Sequence, residues 1–298
     1  MDDKTVQWKK RAASRGLGMG FDGKGVLDWL AVGKGRFRDV LVSQPGLQFE
    51  SDNGRVEVEY LADTNTQDGW YPVRLTGMKS GSGSVRAMRK GKAVGTLRAN
   101  VLVRRNVTLT LKNVVAASGK HRATQASAAS QLASRLDKIF VHQGNFNFQV
   151  SRKADAAIPN DQFVHMFGVD GIDGSNFVQI STVFRKHFDR ASTFNVFFCT
   201  WLHKAPCAIG VSTGPYILVN ESYTARTPAK GQSAAKANEE YLDFLAHVLA
   251  HEVVHSMGLS HHPDRNNLMY ATSDGGLHLD WKQTAFISNP SNWDQFEK

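Results

Sequence analysis

The chain has 298 residues, of which 41% are hydrophobic and 21% charged, a balance that is normal for a globular protein. No apolar run approaches the roughly 20 residues of a membrane-spanning helix, so the sequence predicts no transmembrane helix. The net charge of +9 is uneven: residues 1–120 hold 21 Lys and Arg against 11 Asp and Glu, whereas residues 121–298 hold 15 against 16.

The basic excess of the amino-terminal part has two interpretations. It is typical of a scattered, solubilising surface, and also of a module that binds nucleic acid, anionic lipid or acidic glycans. The first is favoured, because the basic residues form no long block and no nucleic-acid motif surrounds them. Residues 1–44 are rich in glycine and basic residues but only weakly periodic, and we expect them to form a separate basic segment.

Residues 45–103 have the pattern of a small β-rich domain. Apolar and polar residues alternate over 56–60 and again over 71–75, and a Ser-Gly turn at 79–84 precedes further short apolar stretches. The pattern predicts a small antiparallel, sandwich-like module that precedes the rest of the chain.

Residues 104–298 mix strand and helix patterns and form the third predicted domain. A 3.6-residue repeat predicts an amphipathic helix over 125–140, and a short last helix is predicted over 279–287. Residues 155–180, which include Asp170 and Asp173 in a glycine-rich stretch, are predicted to be a loop without a calcium motif. Strands are predicted at 107–111, 146–150, 194–199, 207–212 and 216–220.

A long amphipathic helix is predicted just before the most informative segment of the chain. Asn238 is its expected N-cap, because Glu239 and Glu240 follow in the first turn. Leucine and valine then recur at helical spacing as far as Met257, and Gly258 is expected to end the helix.

Residues 251–261 spell H-E-x-x-H-x-x-G-x-x-H. Two histidines four apart on a helix face the same way, and a glycine turn allows a third to return to them. Three neutral imidazoles leave a metal its charge and one open position, as catalytic zinc requires. We therefore predict one catalytic Zn2+ ion held by His251, His255 and His261, with Glu252 as general base and acid toward a zinc-activated water.

Other polar groups near the motif leave alternatives open. His262 directly follows the third ligand, but the Gly-x-x-His spacing favours His261. His247 lies one turn before the motif and is interpreted as a partly buried helix residue or as support for a ligand. Cys199 and Cys207 are close in sequence, and a disulfide and two buried thiols agree equally well with their spacing.

The extended motif and the residues after it resemble the metzincin clan of zinc endopeptidases, most closely its matrixin-like branch. Met269, between Leu268 and Tyr270, follows His261 by eight residues, similar to the spacing of the family's methionine turn. The resemblance implies a mixed α+β fold with a twisted, mostly parallel sheet, an antiparallel edge strand and a zinc-binding helix. It also implies that Met269 supports the zinc site from below without ligating it.

The resemblance further implies how a substrate binds. Ala208, Ile209, Gly210 and Val211 correspond to the edge strand that pairs with an extended protein or peptide. The implied activity is that of a zinc-dependent endopeptidase. Since residues 1–103 carry no part of this resemblance, a basic targeting or binding module with a structural or inactive zinc site is the alternative function.

The start of the chain lacks the apolar core of a secretory signal. We therefore expect synthesis in the cytoplasm and export, if any, by a signal-independent system. Because the clan's substrates usually lie outside the producing cell, and because the chain is similar to metzincin-type toxin or effector domains of bacteria, an effector or toxin role is a further expectation.

Overall fold

The computed structural model describes residues 6–10, 19–21, 27–61, 69–140, 143–167, 182–200, 210–221, 231–272, 276–294 and 296. Contacts within the chain divide it into two compact units. Unit 1 comprises Met1–Arg105, Phe140–Phe146 and His278–Asn292, and unit 2 comprises Asn106–Ile139, Asn147–Leu277 and Trp293–Lys298. Among the described helices, none combines the length and hydropathy that crossing a lipid bilayer would require.

Unit 1 is built from two β-sheets. One has four strands in the order β1-β4-β7-β6, and the other has five in the order β2-β3-β9-β8-β5. Neighbouring strands are antiparallel except for β3 and β9, which are parallel. The strands are β1 Trp8–Lys10, β2 Met19–Phe21, β3 Leu27–Gly33, β4 Phe37–Val42, β5 Gln48–Ser51, β6 Val56–Tyr60, β7 Tyr71–Gly77, β8 Gly81–Arg89 and β9 Lys92–Leu102.

The core of unit 1 lies between these sheets. Both sheets contribute to one apolar cluster, which includes Trp8 and Leu75 from the first sheet and Leu30, Val85 and Val101 from the second. Successive side chains of a strand point to opposite faces, so alternating positions reach this cluster. The described part of the amino-terminal region is therefore a β-sandwich, as the alternation over 56–60 and 71–75 predicted.

Residues 1–44 differ from the sequence expectation, because their strands belong to the same two sheets. β3 pairs with β9, and β4 pairs with β7. The physical reason is burial on both faces: from Trp29 to Gly33 every residue of β3 is buried, which leaves no alternation of polar and apolar residues to detect.

The sheet of unit 2 is mostly parallel. Its strand order is β11-β10-β13-β15-β14, and a further short strand, β12, pairs with β10 outside this order. β10, β13 and β15 run parallel, and β14 is antiparallel to β15 at the edge. The predicted mixed α+β fold, with a mostly parallel sheet and an antiparallel edge strand, is confirmed. The strands are β10 Arg105–Ala116, β11 Phe146–Arg152, β12 Ala156–Ile158, β13 Phe194–Cys199, β14 Gly210–Thr213 and β15 Tyr216–Asn220.

Helices lie before, between and after these strands. Within 155–180, where a loop was expected, the structure has β12 and α2, and residues 168–181 with Asp170 and Asp173 lie outside the described residues. β12 has only three residues, too few for a periodic pattern. The α-helices are α1 Ala129–Phe140, α2 Asn160–Phe167, α3 Ala234–Ser256 and α4 Trp281–Ser288, and the 3-10 helices are Asp52–Gly54, Gln125–Ala128, Arg185–His187 and Pro290–Asn292.

Two helix positions differ from the sequence expectation. α3 begins at Ala234, and its N-cap is Ser233, whose hydroxyl accepts a hydrogen bond from the amide of Lys236. Asn238 therefore lies inside the helix, because the alanines before it favour helix strongly enough to extend it by a turn. The last helix, α4, belongs to unit 1, where the ring of Trp281 packs against that of Trp29.

The 3-10 turn that leads into α1 is capped by side chains from the sheet. The carboxylate of Glu221, after the end of β15, accepts hydrogen bonds from the amide and hydroxyl of Thr124 at 2.7 and 2.6 Å. The side-chain oxygen of Asn113 in β10 accepts a hydrogen bond from the amide of Ala126 at 2.9 Å. Backbone amides without helical partners are thus satisfied by one side chain from β10 and one from just after β15.

Candidate metal centre

α3 carries the first two histidines of the motif. An apolar stripe that includes Leu245, Leu249 and Val253 is fully buried, and the helix packs against β14 and β15. His251 and His255 are one turn apart on the same side of the helix, with ring centroids 4.5 Å apart. The sheet therefore fixes the direction in which both imidazoles point.

The third histidine returns to the first two through a glycine turn. After α3 ends, Gly258 adopts a φ of +99°, a conformation that a side chain would disfavour, and its amide donates to the carbonyl of His255. The ring of His261 lies 5.4 Å from that of His251 and 4.7 Å from that of His255. One ligand atom from each of the three histidines lies within 4.8 Å of the others.

Main-chain carbonyls set the orientation of two of these rings. Nδ1 of His251 lies 2.7 Å from the carbonyl oxygen of Leu268, and Nδ1 of His255 lies 2.6 Å from that of Leu259. A carbonyl oxygen only accepts, so Nδ1 is the protonated nitrogen in both rings. Each neutral ring then keeps its lone pair on Nε2, the atom that a metal would use.

Burial also keeps these histidines neutral. Desolvation is the main reason that the pKa of His251 falls to about 4; its bond to Leu268 opposes the fall, and the nearby His255, His261 and His247 add to it. Burial likewise lowers the pKa of His255. Since only a neutral imidazole can donate a lone pair to a cation, the donor set fits a zinc ion at neutral pH.

Glu252 is the buried carboxylate beside the first histidine. Its side chain is 5% exposed and lies against Gly210 in β14. Burial raises its pKa to about 7. The hydroxyl of Ser212 is near enough to oppose this rise, although the pair misses strict hydrogen-bond geometry. A carboxylate of this kind exchanges a proton readily near neutral pH.

Met269 lies in the turn that follows the motif. Its side chain is fully buried. Its amide donates to the side-chain oxygen of Asn267 at 2.8 Å, and its carbonyl accepts from the amide of His262 at 2.7 Å. The residue before it supplies the carbonyl that orients His251. The turn is thus tied to the motif by main-chain hydrogen bonds.

The alternative ligands do not join the cluster. Nδ1 of His262 accepts a hydrogen bond from the amide of Asp264, and the carboxylate of Asp264 accepts one from the amide of Asn266. His247 is buried one turn before His251, outside the group of three. The spacing that favoured His261 over His262 agrees with this placement.

The structure places only part of the predicted edge strand and of the cysteine pair. Gly210 and Val211 lie in β14, which is the last strand of the sheet order, while Ala208 and Ile209 lie outside the described residues. Cys199 is buried in β13, and its thiol contacts the carbonyl of Val219. Cys207 is also outside the described residues.

Sequence reasoning missed the partners of the motif. The carbonyls of Leu259 and Leu268 act through the main chain, which carries no signature of residue type. The sequence places Gly210 and Ser212 in the predicted strand over 207–212 but indicates no contact of either with Glu252. Both are distant from Glu252 in sequence, so no local spacing could have linked them to it.

A family model supports the interpretation of the motif. Residues 146–284, just under half of the chain, match the matrixin family of peptidases. This range includes β11 to β15, α3 and the three histidines. A search of curated protein sequences found no match.

Several solved structures are similar to the chain. Archaemetzincin from Methanopyrus kandleri is 17% identical, with a TM-score of 0.42, and the match covers 61% of this chain and 93% of that one. A zinc-dependent peptidase from Methanocorpusculum labreanum is 10% identical, with a TM-score of 0.33 and coverage of 61% and 99%. Metalloproteinase-II from Bacteroides fragilis is 9% identical, with a TM-score of 0.37 and coverage of 87% and 84%.

At TM-scores below 0.5, these similarities add no weight of their own. The family-model match and the extended zinc motif lie in the same part of the chain, and the sheet of that part has the parallel strands and antiparallel edge that the resemblance implied. The match over residues 146–284 therefore supports a zinc metallopeptidase of the metzincin clan.

Proposed function

We propose that the protein is an endopeptidase that cuts peptide bonds within proteins or peptides. The observation that carries the proposal is the convergence of three imidazoles beside one buried carboxylate. In this proposal His251, His255 and His261 hold a single zinc ion, and Glu252 is the general base and acid. A metal bound there would supply Lewis acidity, which lowers the pKa of water and polarises a carbonyl.

Glu252 moves the proton in the proposed reaction. Hydrolysis of an amide needs a group that accepts a proton from the attacking water and then delivers it to the leaving nitrogen. A carboxylate with an ordinary pKa would hold such a proton poorly at neutral pH, whereas burial brings the pKa of Glu252 to about 7. The same group can therefore serve as base and then as acid.

β14 is the proposed substrate strand. It is the edge of the sheet among the described strands, and its neighbour β15 occupies one side only. An extended peptide can add to such an edge through main-chain hydrogen bonds. Gly210 and Val211 would contribute to this pairing, and Ala208 and Ile209 remain predicted members of it. Met269 is proposed to support the metal site from below, as a fully buried side chain in the turn.

The proposal is tested by Glu252→Ala. We expect this variant to lose cleavage of casein, an unstructured protein, while it keeps its fold and its zinc content. Glu240→Ala, at an exposed position of the same helix, is the matched control and is expected to cleave like the wild type. Unchanged proteolysis by Glu252→Ala excludes the mechanism. Mass spectrometry of the early products checks the endopeptidase class, because internal cuts give fragments that stepwise trimming from a terminus does not.

A second role is proposed for unit 1, which carries most of the basic excess. Lys90 and Lys92 are exposed at the turn between β8 and β9. We propose that this surface binds an anionic partner, as a targeting module for the peptidase. Retention on heparin that weakens with salt and that falls in Lys90→Glu/Lys92→Glu would support it, and no retention at low salt excludes it.

Delivery by a signal-independent system and an effector or toxin role stay proposals on the sequence argument alone. The toxin role is tested by expressing the wild type and Glu252→Ala in a susceptible compartment. If both proteins are harmless there, the toxin role is excluded.

A further inference from the structure

Gly210 lies where β14 crosses the side chain of Glu252. A Cβ atom at this position would lie 2.6 Å from Oε1 of Glu252, 2.7 Å from its Cγ and 2.8 Å from its Cδ. Its φ is outside the range that only glycine tolerates, so the backbone conformation does not require a glycine here. The space taken by Glu252 does.

The carboxylate has little room to yield. It is 5% exposed and lies on a helix that packs against β14 and β15. To reach an ordinary contact distance of 3.4 Å from a new Cβ, its atoms would move by about 0.7 Å. The hydroxyl of Ser212, two residues along the strand on the same face, also contacts the carboxylate. An atom added at Gly210 would therefore press on the carboxylate from the side of β14.

We propose that Gly210 is a positioning residue for Glu252. Its missing side chain lets the main chain of the substrate strand lie directly on the catalytic carboxylate, so that one strand sets both the path of the substrate and the place of the base. This inference rests on the proposed role of Glu252. It predicts that a methyl group at 210 displaces the base and leaves the three histidines in place.

The test compares Gly210→Ala with a matched control. Gly95→Ala adds an equally crowded methyl to a strand of unit 1, where its Cβ would lie 2.8 Å from the carbonyl oxygen of Val6 and 2.9 Å from its Cβ. We expect Gly210→Ala to lower kcat about 100-fold, the loss expected for a catalytic group misplaced by about 1 Å, with KM within about threefold and zinc content unchanged. Gly95→Ala should lower the unfolding midpoint and leave kcat unchanged.

A second measurement does not depend on activity. If the added methyl meets Glu252, then Gly210→Ala should lower the unfolding midpoint by about 2–8 °C in the wild type and by almost nothing in Glu252→Ala, where the opposing atoms are gone. If Gly210→Ala alone does not fold, folding of the double variant Gly210→Ala/Glu252→Ala supports the inference. If neither the single nor the double variant folds, the inference is overturned.

The other outcomes separate this inference from the proposed function. Wild-type kcat in Gly210→Ala, or an equal loss of midpoint in both backgrounds, overturns the role of Gly210. Full activity of Glu252→Ala overturns the proposed function instead, and the midpoints still report whether Gly210 and Glu252 are in contact.

Discussion

The two units differ in how many acidic or basic side chains they bury. Among the described residues, unit 1 has a large apolar cluster between its sheets and buries one such side chain, that of Arg38. In unit 2, polar and ionisable groups are buried along with the apolar ones, among them Lys112, Asn195, His247 and Glu252. Burial of such groups costs stability unless hydrogen bonds compensate. Both units therefore accept this cost, but among the described residues the unit with the metal-site motif buries three acidic or basic side chains, Lys112, His247 and Glu252, against one in unit 1.

Within unit 2, hydrogen bonds offset part of this cost outside the metal site. Asn195 both accepts from the amide of Asp189 at 2.7 Å and donates to its carbonyl at 3.0 Å. Lys112 donates to the carbonyl of His187. The carboxylate of Glu252, by contrast, contacts among the described residues the hydroxyl of Ser212 without strict hydrogen-bond geometry. Perturbed pKa values cluster at functional sites, so the raised pKa of Glu252 beside three convergent histidines marks the site more sharply than burial alone.

The largest expected effect comes from removing zinc. A chelator should lower peptidase activity on the order of 10³-fold or more, because the metal supplies several kcal/mol of transition-state stabilisation. It should also lower the unfolding midpoint of unit 2, since a ligand that binds only the folded state stabilises that state. The unfolding of unit 1 should not move. Differential scanning calorimetry with and without added zinc measures the unfolding of both units. Peptidase activity that survives chelation contradicts the role of zinc in unit 2.

A core substitution in unit 1 should give the opposite pattern. Leu75 is fully buried in the apolar cluster, so Leu75→Ala is expected to lower the free energy of unfolding of unit 1 by about 2–5 kcal/mol. The kcat for casein should stay at the wild-type value. Urea denaturation gives the stability, with the exposed Met78→Ala as the control that should cost little. A fall in kcat under native conditions would show that the activity of unit 2 depends on the core of unit 1.

The cap of α1 is expected to have a smaller effect, confined to unit 2. Glu221→Ala removes the acceptor for Thr124 and should lower the free energy of unfolding by about 0.5–2 kcal/mol. Glu221→Gln keeps one side-chain oxygen as an acceptor and should lose less. Equal losses for the two variants, measured by urea denaturation, would contradict a capping role.

The smallest effect is expected at an exposed ion pair of unit 1. Arg86 and Glu50 are 3.4 Å apart, with side chains 47% and 54% exposed. Glu50→Ala should change the free energy of unfolding by at most about 1 kcal/mol, and the difference should shrink further in high salt. A loss as large as that of Leu75→Ala would mean that surface charge, and not the apolar core, holds unit 1 together.

Local patterns in the sequence predicted the parts of the fold that are local. The helical repeat over 125–140 and the alternation over 56–60 each need only a few neighbouring residues, and both are confirmed by the structure. The convergence of the three histidines was equally readable, since an α-helical turn and one glycine determine it within 11 residues. β3 was not readable, because a strand buried on both faces has no alternation.

Relations between distant residues could not be predicted. Gly210 and Glu252 are far apart in the chain, and a glycine gives no sign of which side chain occupies the space beside it. The carbonyl of Leu268 orients His251 irrespective of the leucine side chain. Trp281 of α4 packs against Trp29, more than 200 residues away in sequence. Such contacts require the assembled fold.

The two carbonyls that hold the histidine rings, those of Leu259 and Leu268, bracket a short connection. An exposed side chain between them such as that of Arg265 can be exchanged without touching either oxygen, provided that the path length stays the same, whereas His261 and Asn267 belong to the site and its turn. Loss of one residue from this connection would draw an oxygen away from its ring and free that imidazole to rotate. The length of the connection is thus under tighter constraint than the chemistry at Arg265, and a single-residue deletion would weaken metal retention more than replacement of Arg265.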